Sequence, residues 1–537
     1  MNFKLRSLVA ATLAGSMLMG FGANAMADST DDILNALIAK GVLTEEEGAL
    51  LLKGRTGEKE AAAEKKKTAV SAKNKDGSIS FETGDGKNTM ALTGRMQFDM
   101  RSESNNTDAN TVAHNSDRDT AGMADQFELR RARIGVKGKM FEHFDYEVIG
   151  NLVGSNTNTV DVAYINAGMY KQAQLKLGQF KQPFNLEEYG TSSNNLDFME
   201  RSYVNQITPA KKIGAMLHGV PTTGVTYAAS VYQQNNFGET DSENTGKGFA
   251  GRATLNLAEL AGYGDSVFHV GAAGFDSEYG VLPTSSSNGS STLTTGIATN
   301  GTVFGFRSAG RGIANSYRAQ IAGNTVNAGA SIPSNAAANV ENKAYGLELA
   351  LAKGPFKIQG EYTDQVFNAK QASVNSYVHA DVKAYYVEAL VMLTGENYAN
   401  WYKNGAWGGI KPTSNFDVET GKGKGAWELG VRFDAYDVSD VAAYSGSGSA
   451  VSSRIQGSFS GNTGSLDTAS AASLNTTATG GGAKTYTVGI KWQLTPNMRV
   501  LANYAHTKFD DKFKAVDTSL TNISKEDLLM VRSQFSF

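Results

Sequence analysis

The chain has 537 residues with no cysteine, 8 prolines, 59 glycines, 19% charged residues and a formal net charge of -3. Without cysteine it cannot build a disulfide scaffold, a zinc ribbon or a thiol catalyst, and its charge offers no overall attraction for nucleic acid. The longest apolar run, Leu8 to Phe21, falls short of the roughly 20 residues a membrane-spanning helix needs. With 25 Phe, 21 Tyr and 4 Trp against so little proline, a folded β protein is the expectation rather than a disordered chain.

Residues 1–27 carry Lys4 and Arg6, then an apolar stretch, then Ala25-Met26-Ala27, the three-part pattern of a cleaved export signal. Residues 28–75 read as helical. Ile33, Leu34, Leu37 and Ile38 recur at helical spacing, Gly41 sits where a C-terminal cap belongs, and Thr44 with Glu47 forms a capping box. The segment reads equally as a short periplasmic coiled coil or as a solvated spacer.

Residues 76–537 change period from 3.6 to 2. Met90, Leu92, Met96, Phe98 and Met100 share one face, opposite Arg95, Gln97, Asp99 and Arg101. The same alternation places Tyr345, Leu347, Leu349 and Leu351 on one side, and Trp427, Leu429, Val431 and Phe433 on another. Segments near ten residues exceed the usual soluble strand and match tilted strands crossing a bilayer. Sixteen follow, near 90–101, 127–140, 143–153, 160–170, 173–180, 212–220, 223–232, 248–258, 266–275, 342–353, 355–365, 381–394, 424–437, 484–494, 498–507 and 527–537. In lipid, only closure satisfies every backbone polar group. The expected fold is therefore all-β, a 16-stranded antiparallel transmembrane β-barrel in a Gram-negative outer membrane. Long links at 102–126, 276–341 and 438–483 become external loops, and Phe141-Glu142, Gly354 and Thr495-Pro496-Asn497 become tight turns. Parity places the long stretch 395–423 on the periplasmic side.

If apolar residues face lipid, their neighbours face the lumen. Arg131, Arg133, Lys137 and Lys139 then line one row. Arg95, Arg101, Arg252, Lys357, Arg432, Lys491, Arg499 and Arg532 also point inward. Inward acids are Asp99, Asp145, Glu147, Glu348, Glu361, Glu388, Glu428 and Asp434, fewer than the cations. Rows of Arg and Lys favour anions, although pairing with acids would erase part of that preference. The link after the fifth strand, 181–211, holds Phe184, Leu186, Tyr189, Leu196, Phe198, Met199, Tyr203 and Ile207. A loop this apolar is expected to pack inside the barrel and constrict it. It brings Lys181, Arg201, Lys211 and Lys212 together with Glu187, Glu188, Asp197 and Glu200.

Several stretches resemble one family. Arg130-Arg131-Ala132-Arg133-Ile134-Gly135-Val136-Lys137-Gly138, Leu177-Gly178-Gln179-Phe180-Lys181-Gln182-Pro183-Phe184 and Phe198-Met199-Glu200-Arg201-Ser202 look like the phosphate-selective porin O and P family of Gram-negative outer membranes. So do Leu393-Thr394-Gly395-Glu396, Gly425-Ala426-Trp427-Glu428-Leu429 and the C-terminal Arg532-Ser533-Gln534-Phe535-Ser536-Phe537. The resemblance implies a homotrimer of sixteen-stranded barrels and an inward-folded third loop. It also implies an arginine ladder leading to a lysine-lined site for phosphate, pyrophosphate or other inorganic anions. Arg131, Arg133, Lys137, Lys181 and Arg201 lie in the matched motifs. The terminal Phe537 resembles the signal read by barrel-insertion machinery. The chain departs from the family in its long Gly- and Ser-rich loops and its eight inward acids.

An enzyme is disfavoured, because G-x-S-x-G at a strand-to-helix turn, a Walker loop and H-E-x-x-H are missing and the six histidines are scattered. No cofactor or metal is expected; the partners are permeant anions, outer-membrane lipid and lipopolysaccharide, not nucleic acid. The alternative is a structural or adhesive barrel with a closed lumen and partner-binding loops.

Overall fold

A computed structural model describes residues 36–50, 53, 64, 69–75, 78–107, 126–153, 160–234, 246–281, 302–308, 315–321, 338–371, 376–444, 453–457, 481–514 and 522–537. The export signal expected over 1–27 lies outside the described residues. The chain divides into residues 1–72 with 81–89, and residues 73–80 with 90–537.

In the first unit, residues 36–39 and 45–50 are helical. Gly41 takes φ +70°, the left-handed conformation that ends a helix. The Thr44 amide donates to the Glu47 carboxylate at 3.0 Å and the Glu47 amide to the Thr44 hydroxyl at 3.2 Å, a reciprocal capping box. The helical expectation for 28–75 needs correction at its end, because Val70–Lys75 and Ser78–Thr83 are strands. Nothing in 70–75 repeats at helical spacing, and Asp76-Gly77 between the strands is a hairpin turn signal.

Sixteen strands of an eighteen-stranded sheet, whose other two are Val70–Lys75 and Ser78–Thr83, form a closed antiparallel barrel. In chain order they are β1 (Thr89–Thr107), β2 (Gln126–Met140), β3 (Phe144–Asn151), β4 (Val160–Tyr170), β5 (Ala173–Lys181) and β6 (Lys211–Thr222). Next come β7 (Val225–Gln233), β8 (Lys247–Asn256), β9 (Ser266–Val281), β10 (Ala338–Lys353) and β11 (Phe356–Gln371). The last five are β12 (Ser376–Met392), β13 (Ala426–Tyr444), β14 (Gly481–Thr495), β15 (Met498–Lys514) and β16 (Asn522–Ser536). β16 pairs with β1 and closes the ring. The Phe537 amide and carbonyl bond Gly94 at the seam.

Alternation has the expected cause. Met96, Phe98 and Met100 are exposed on the outer face, while Gln97, Asp99 and Arg101 between them are buried inside. One end carries short connections. Phe141 and Glu142 turn with φ 51° and 67°, and Gly354 with φ 54°. Trp427 stacks on Trp492 with ring centroids 5.0 Å apart, and both indole N–H groups donate to the Lys424 carbonyl, an aromatic edge of the kind that marks a bilayer boundary.

At the other end the strands run past the lengths expected from hydropathy. β9 continues beyond residue 275, where Asp276 faces Lys343 across the ladder and their side chains pair at 3.5 Å. Charged cross-strand pairs outside the lipid band stabilise strands without an apolar face, so hydropathy stops before the strand does. The links 276–341 and 438–483, read as loops, also contribute Thr302–Arg307, Asn315–Ile321 and Ser453–Gly457, which form a three-stranded sheet.

Candidate functional site

Two segments fill much of the lumen. Residues 182–210, between β5 and β6, fold inward: Phe184, Leu186, Phe198, Met199, Tyr203 and Val204 are buried. Its helical turn Asn185–Tyr189 is held by Glu361 of β11, whose carboxylate accepts from the Leu186 and Glu187 amides at 2.7 and 2.8 Å. The second segment, 395–423, enters from the short-turn end. Tyr398, Tyr402 and Trp407 are buried in one cluster with Leu186 and Phe198. The Trp407 amide donates to the Gly190 carbonyl at 2.9 Å, so the two segments touch inside the barrel. Hydropathic parity placed 395–423 at the correct end but did not show that it folds inward. The signal was present in Tyr398, Trp401, Tyr402 and Trp407, an aromatic content as high as that which marked the other loop.

The acids of the 182–210 loop seat on wall cations. Glu200 accepts from Arg101, Arg130 and Arg532 at 3.1, 2.9 and 2.8 Å. Asp197 pairs with Lys357 and, at 3.6 Å, with Lys491, which also reaches Glu428 at 2.6 Å. Arg432 lies 3.0 Å from Asp434 and 3.7 Å from Glu187. Arg252 grips Glu348 through two bonds of 2.8 and 2.7 Å, and His269 adds a third contact at 3.0 Å. Arg101, Arg252, Arg432 and Arg532 thus point inward as alternation requires, yet their charge is spent on carboxylates that hold the loop and wall together. Burial alone would raise the Glu200 carboxyl, but the guanidiniums around it hold it well below the usual carboxylate range.

A different group of cations keeps an excess. Arg133 of β2 lies 2.8 Å from Asp161 of β4, and Lys211 of β6 bonds the same carboxylate. Arg201 sits 2.9 Å and Lys181 3.7 Å from Glu188. Arg95 of β1 bonds the Ser193 hydroxyl beside them. Four cations therefore share two carboxylates, Asp161 and Glu188, with Arg95 as a fifth cation beside them, and the side chains of Arg133, Lys181 and Lys211 retain 14, 22 and 19% of their exposure. Burial would raise Glu188 too; Arg201 and Lys181 pull it down to about 2.

Arg131 and Arg499 adjoin this cluster. Arg131 donates to Gln97 at 2.7 Å, and Arg499 to Gln534 at 2.8 Å and the Leu196 carbonyl at 3.1 Å. Among the described residues neither pairs with a carboxylate, and the Nε–H groups of Arg131, Arg133 and Arg499 are buried without an acceptor. Lys137 and Lys139 lie apart, toward the short-turn end, where Lys139 approaches Asp145 at 3.7 Å. Lys212 donates to the Gln234 carbonyl.

Two further cations lie on the inner side. On β2 the outward residues switch from odd numbers, Phe127 and Leu129, to even ones, Ile134 and Met140, so both Arg130 and Arg131 reach inner-side partners. The slip is visible in the sequence as the apolar residues pass from odd to even positions, but a single phase assumed for the whole strand overlooks it. Lys176 of β5, whose ammonium lies 4.3 Å from the Tyr164 ring centroid, was not singled out either.

A family profile described as phosphate-selective porin O and P matches residues 92–537. Porin O of Pseudomonas aeruginosa is 24% identical over 406 residues, covering 72% of this chain and 78% of that protein. Among solved structures, a loop-deleted OmpT of Vibrio cholerae is 10% identical with a TM-score of 0.46, over 84% of this chain and 100% of that one. An anion-selective porin from Comamonas acidovorans is 9% identical with a TM-score of 0.44 and the same coverage of both chains.

Proposed function

The chain belongs to the phosphate-selective porin O and P family, is an outer-membrane porin, and from that premise we propose that it passes small inorganic anions, phosphate among them. One observation carries this reading: Arg95, Arg133, Lys181, Arg201 and Lys211 meet in a partly solvated cluster whose ion pairs, among the described residues, go to Asp161 and Glu188. A desolvated anion entering it replaces lost hydration with charge-assisted hydrogen bonds. The buried, acceptor-free Nε–H group of Arg133 favours the same class of ligand. Pairs of charges near 4 Å are worth about 1 to 4 kcal/mol between water and protein-surface dielectrics, enough to bias passage without trapping the ion.

The reading includes a homotrimer in lipid and lipopolysaccharide, with Phe537, whose ring lies 5.9 Å from that of Phe535, as the residue presented to insertion machinery. A second reading, a structural barrel with a closed lumen, draws on the insertion of 395–423 beside the loop. Purified protein in a planar bilayer separates them. Stepwise chloride current that phosphate reduces in a concentration-dependent way supports the anion channel, and electrical silence supports the closed barrel.

A further inference from the structure

The two lumen-filling segments do not fill the barrel evenly. Along β8 to β16 the inward side chains are buried: Arg252, Glu348, Lys357, Thr363, Glu388 and Thr487 all keep less than a tenth of their exposure. Along β2 to β5, toward the short-turn end, part of the inward row stays open, although Arg131, Asn166, Phe180 and, on β6, Met216 are buried. Lys137 is exposed, Lys139 and Asp145 keep 55 and 40% of their side-chain exposure, and Glu147, Tyr164 and Lys176 are half-buried.

These open residues form a descending series. Below the cluster at Arg133, Asp161, Lys181 and Lys211, the ladder sets Lys137 opposite Glu147 and Glu147 opposite Tyr164, with Lys176 over the Tyr164 ring. Nearer the short-turn end, Asn166 bonds Asp145 at 3.2 Å, Gln174 at 2.8 Å and His218 at 2.8 Å. A cavity of about 200 Å³ opens there, lined by Gln174 and His218 on this side and reaching Tyr189, Tyr227, Asn404 and Arg252 of β8.

Resting on the reading that the chain conducts anions, we infer that solutes cross off the barrel axis, along β2 to β6. In this path Lys176, Tyr164 and Glu147 form a second station between the cation cluster and the short-turn mouth. The ligand class is a small, partly dehydrated inorganic anion. Lys176 is a single cation, engaged by an aromatic face and near a carboxylate, so it holds an anion more weakly than the five-cation cluster. A weaker site in series is what lets a bound ion leave.

The cysteine-free chain permits a direct test. Single variants Glu147→Cys and Lys176→Cys on the path, and Thr363→Cys and Thr487→Cys on the filled side, are recorded in planar bilayers before and after an anionic methanethiosulfonate reagent. Each variant's unmodified current reports its folding; Gln174→Cys and Thr485→Cys replace any that does not conduct. Modification is expected to cut single-channel current roughly two-fold or more in the path variants and leave the filled-side variants unchanged. Block at Thr363→Cys or Thr487→Cys, or equal insensitivity everywhere, overturns the off-axis path while leaving the channel reading intact. Silence of the unmodified parent chain overturns both.

Discussion

Arg532 and Asp99 face each other across the pair of strands that closes the barrel, and their side chains meet in two bonds of 2.6 and 2.7 Å with both residues fully buried. The same guanidinium reaches Glu200 of the inward loop at 2.8 Å. One side chain thus ties the first strand, the last strand and the loop, so closure and constriction depend on a common contact. Removing one partner of a buried pair leaves an uncompensated charge, at a cost of about 3–5 kcal/mol. Arg532→Met is expected to lower the unfolding temperature in detergent clearly, and Asp99→Asn with Arg532→Met to recover part of it. An unchanged transition in the single variant would show that the pair does not hold the seam.

Arg131 and Arg133 should separate. Arg131 is buried against Gln97, whereas Arg133 faces the partly solvated cluster. Arg133→Ala, alone or with Lys211→Ala, is expected to shift the zero-current potential in a salt gradient toward zero. Arg131→Ala should act mainly on stability. The reverse pattern would move the selective contacts from the Asp161 cluster to the Gln97 side.

Trp407 tests the second inserted segment. It packs against Tyr402 with ring centroids 5.0 Å apart and lies 4.6 Å from the Lys357 ammonium. Trp407→Ala removes a buried aromatic, a change that typically costs about 3–5 kcal/mol. Loosening of 395–423 is expected to raise single-channel conductance and weaken ion selectivity, by opening the filled side. A stable variant with wild-type current would mean that the segment does not limit flow.

The alternation of period two made nearly all of this barrel legible, because lipid outside and water or packed charge inside impose opposite demands on neighbouring residues. It also assigned Arg95, Arg133, Arg252, Arg432, Arg499 and Arg532 to the correct face. What alternation could not show was which charges cancel. Lys357 meets Asp197, and Arg532 meets Glu200, across separations of 160 and 332 residues. Such pairing follows from how the loop seats, not from local pattern. Arg130 was missed for a local reason, since the outward phase of its strand changes between Leu129 and Ile134 and both Arg130 and Arg131 reach inner-side partners.

Glu188 gives a pH signature. Its carboxyl is lowered from an ordinary 4.5 to about 2 in the folded protein. Because the folded value is depressed, its stabilising contribution is fully present above about 4.5 and is lost as pH falls through 2. The stability gap between the parent chain and Glu188→Gln, read from detergent melts, should be constant from pH 7 to about 5 and shrink toward pH 2. A gap that closes already near pH 6, or persists undiminished at pH 2, would contradict the Arg201 and Lys181 contacts.

The most direct test of the central claim is the zero-current potential of the purified protein in a planar bilayer across a potassium chloride gradient. A cluster in which five cations gather around two carboxylates, four of them paired and Arg95 on a hydroxyl, predicts a potential displaced toward the chloride equilibrium value. A potential on the potassium side, with open channels present, would contradict it.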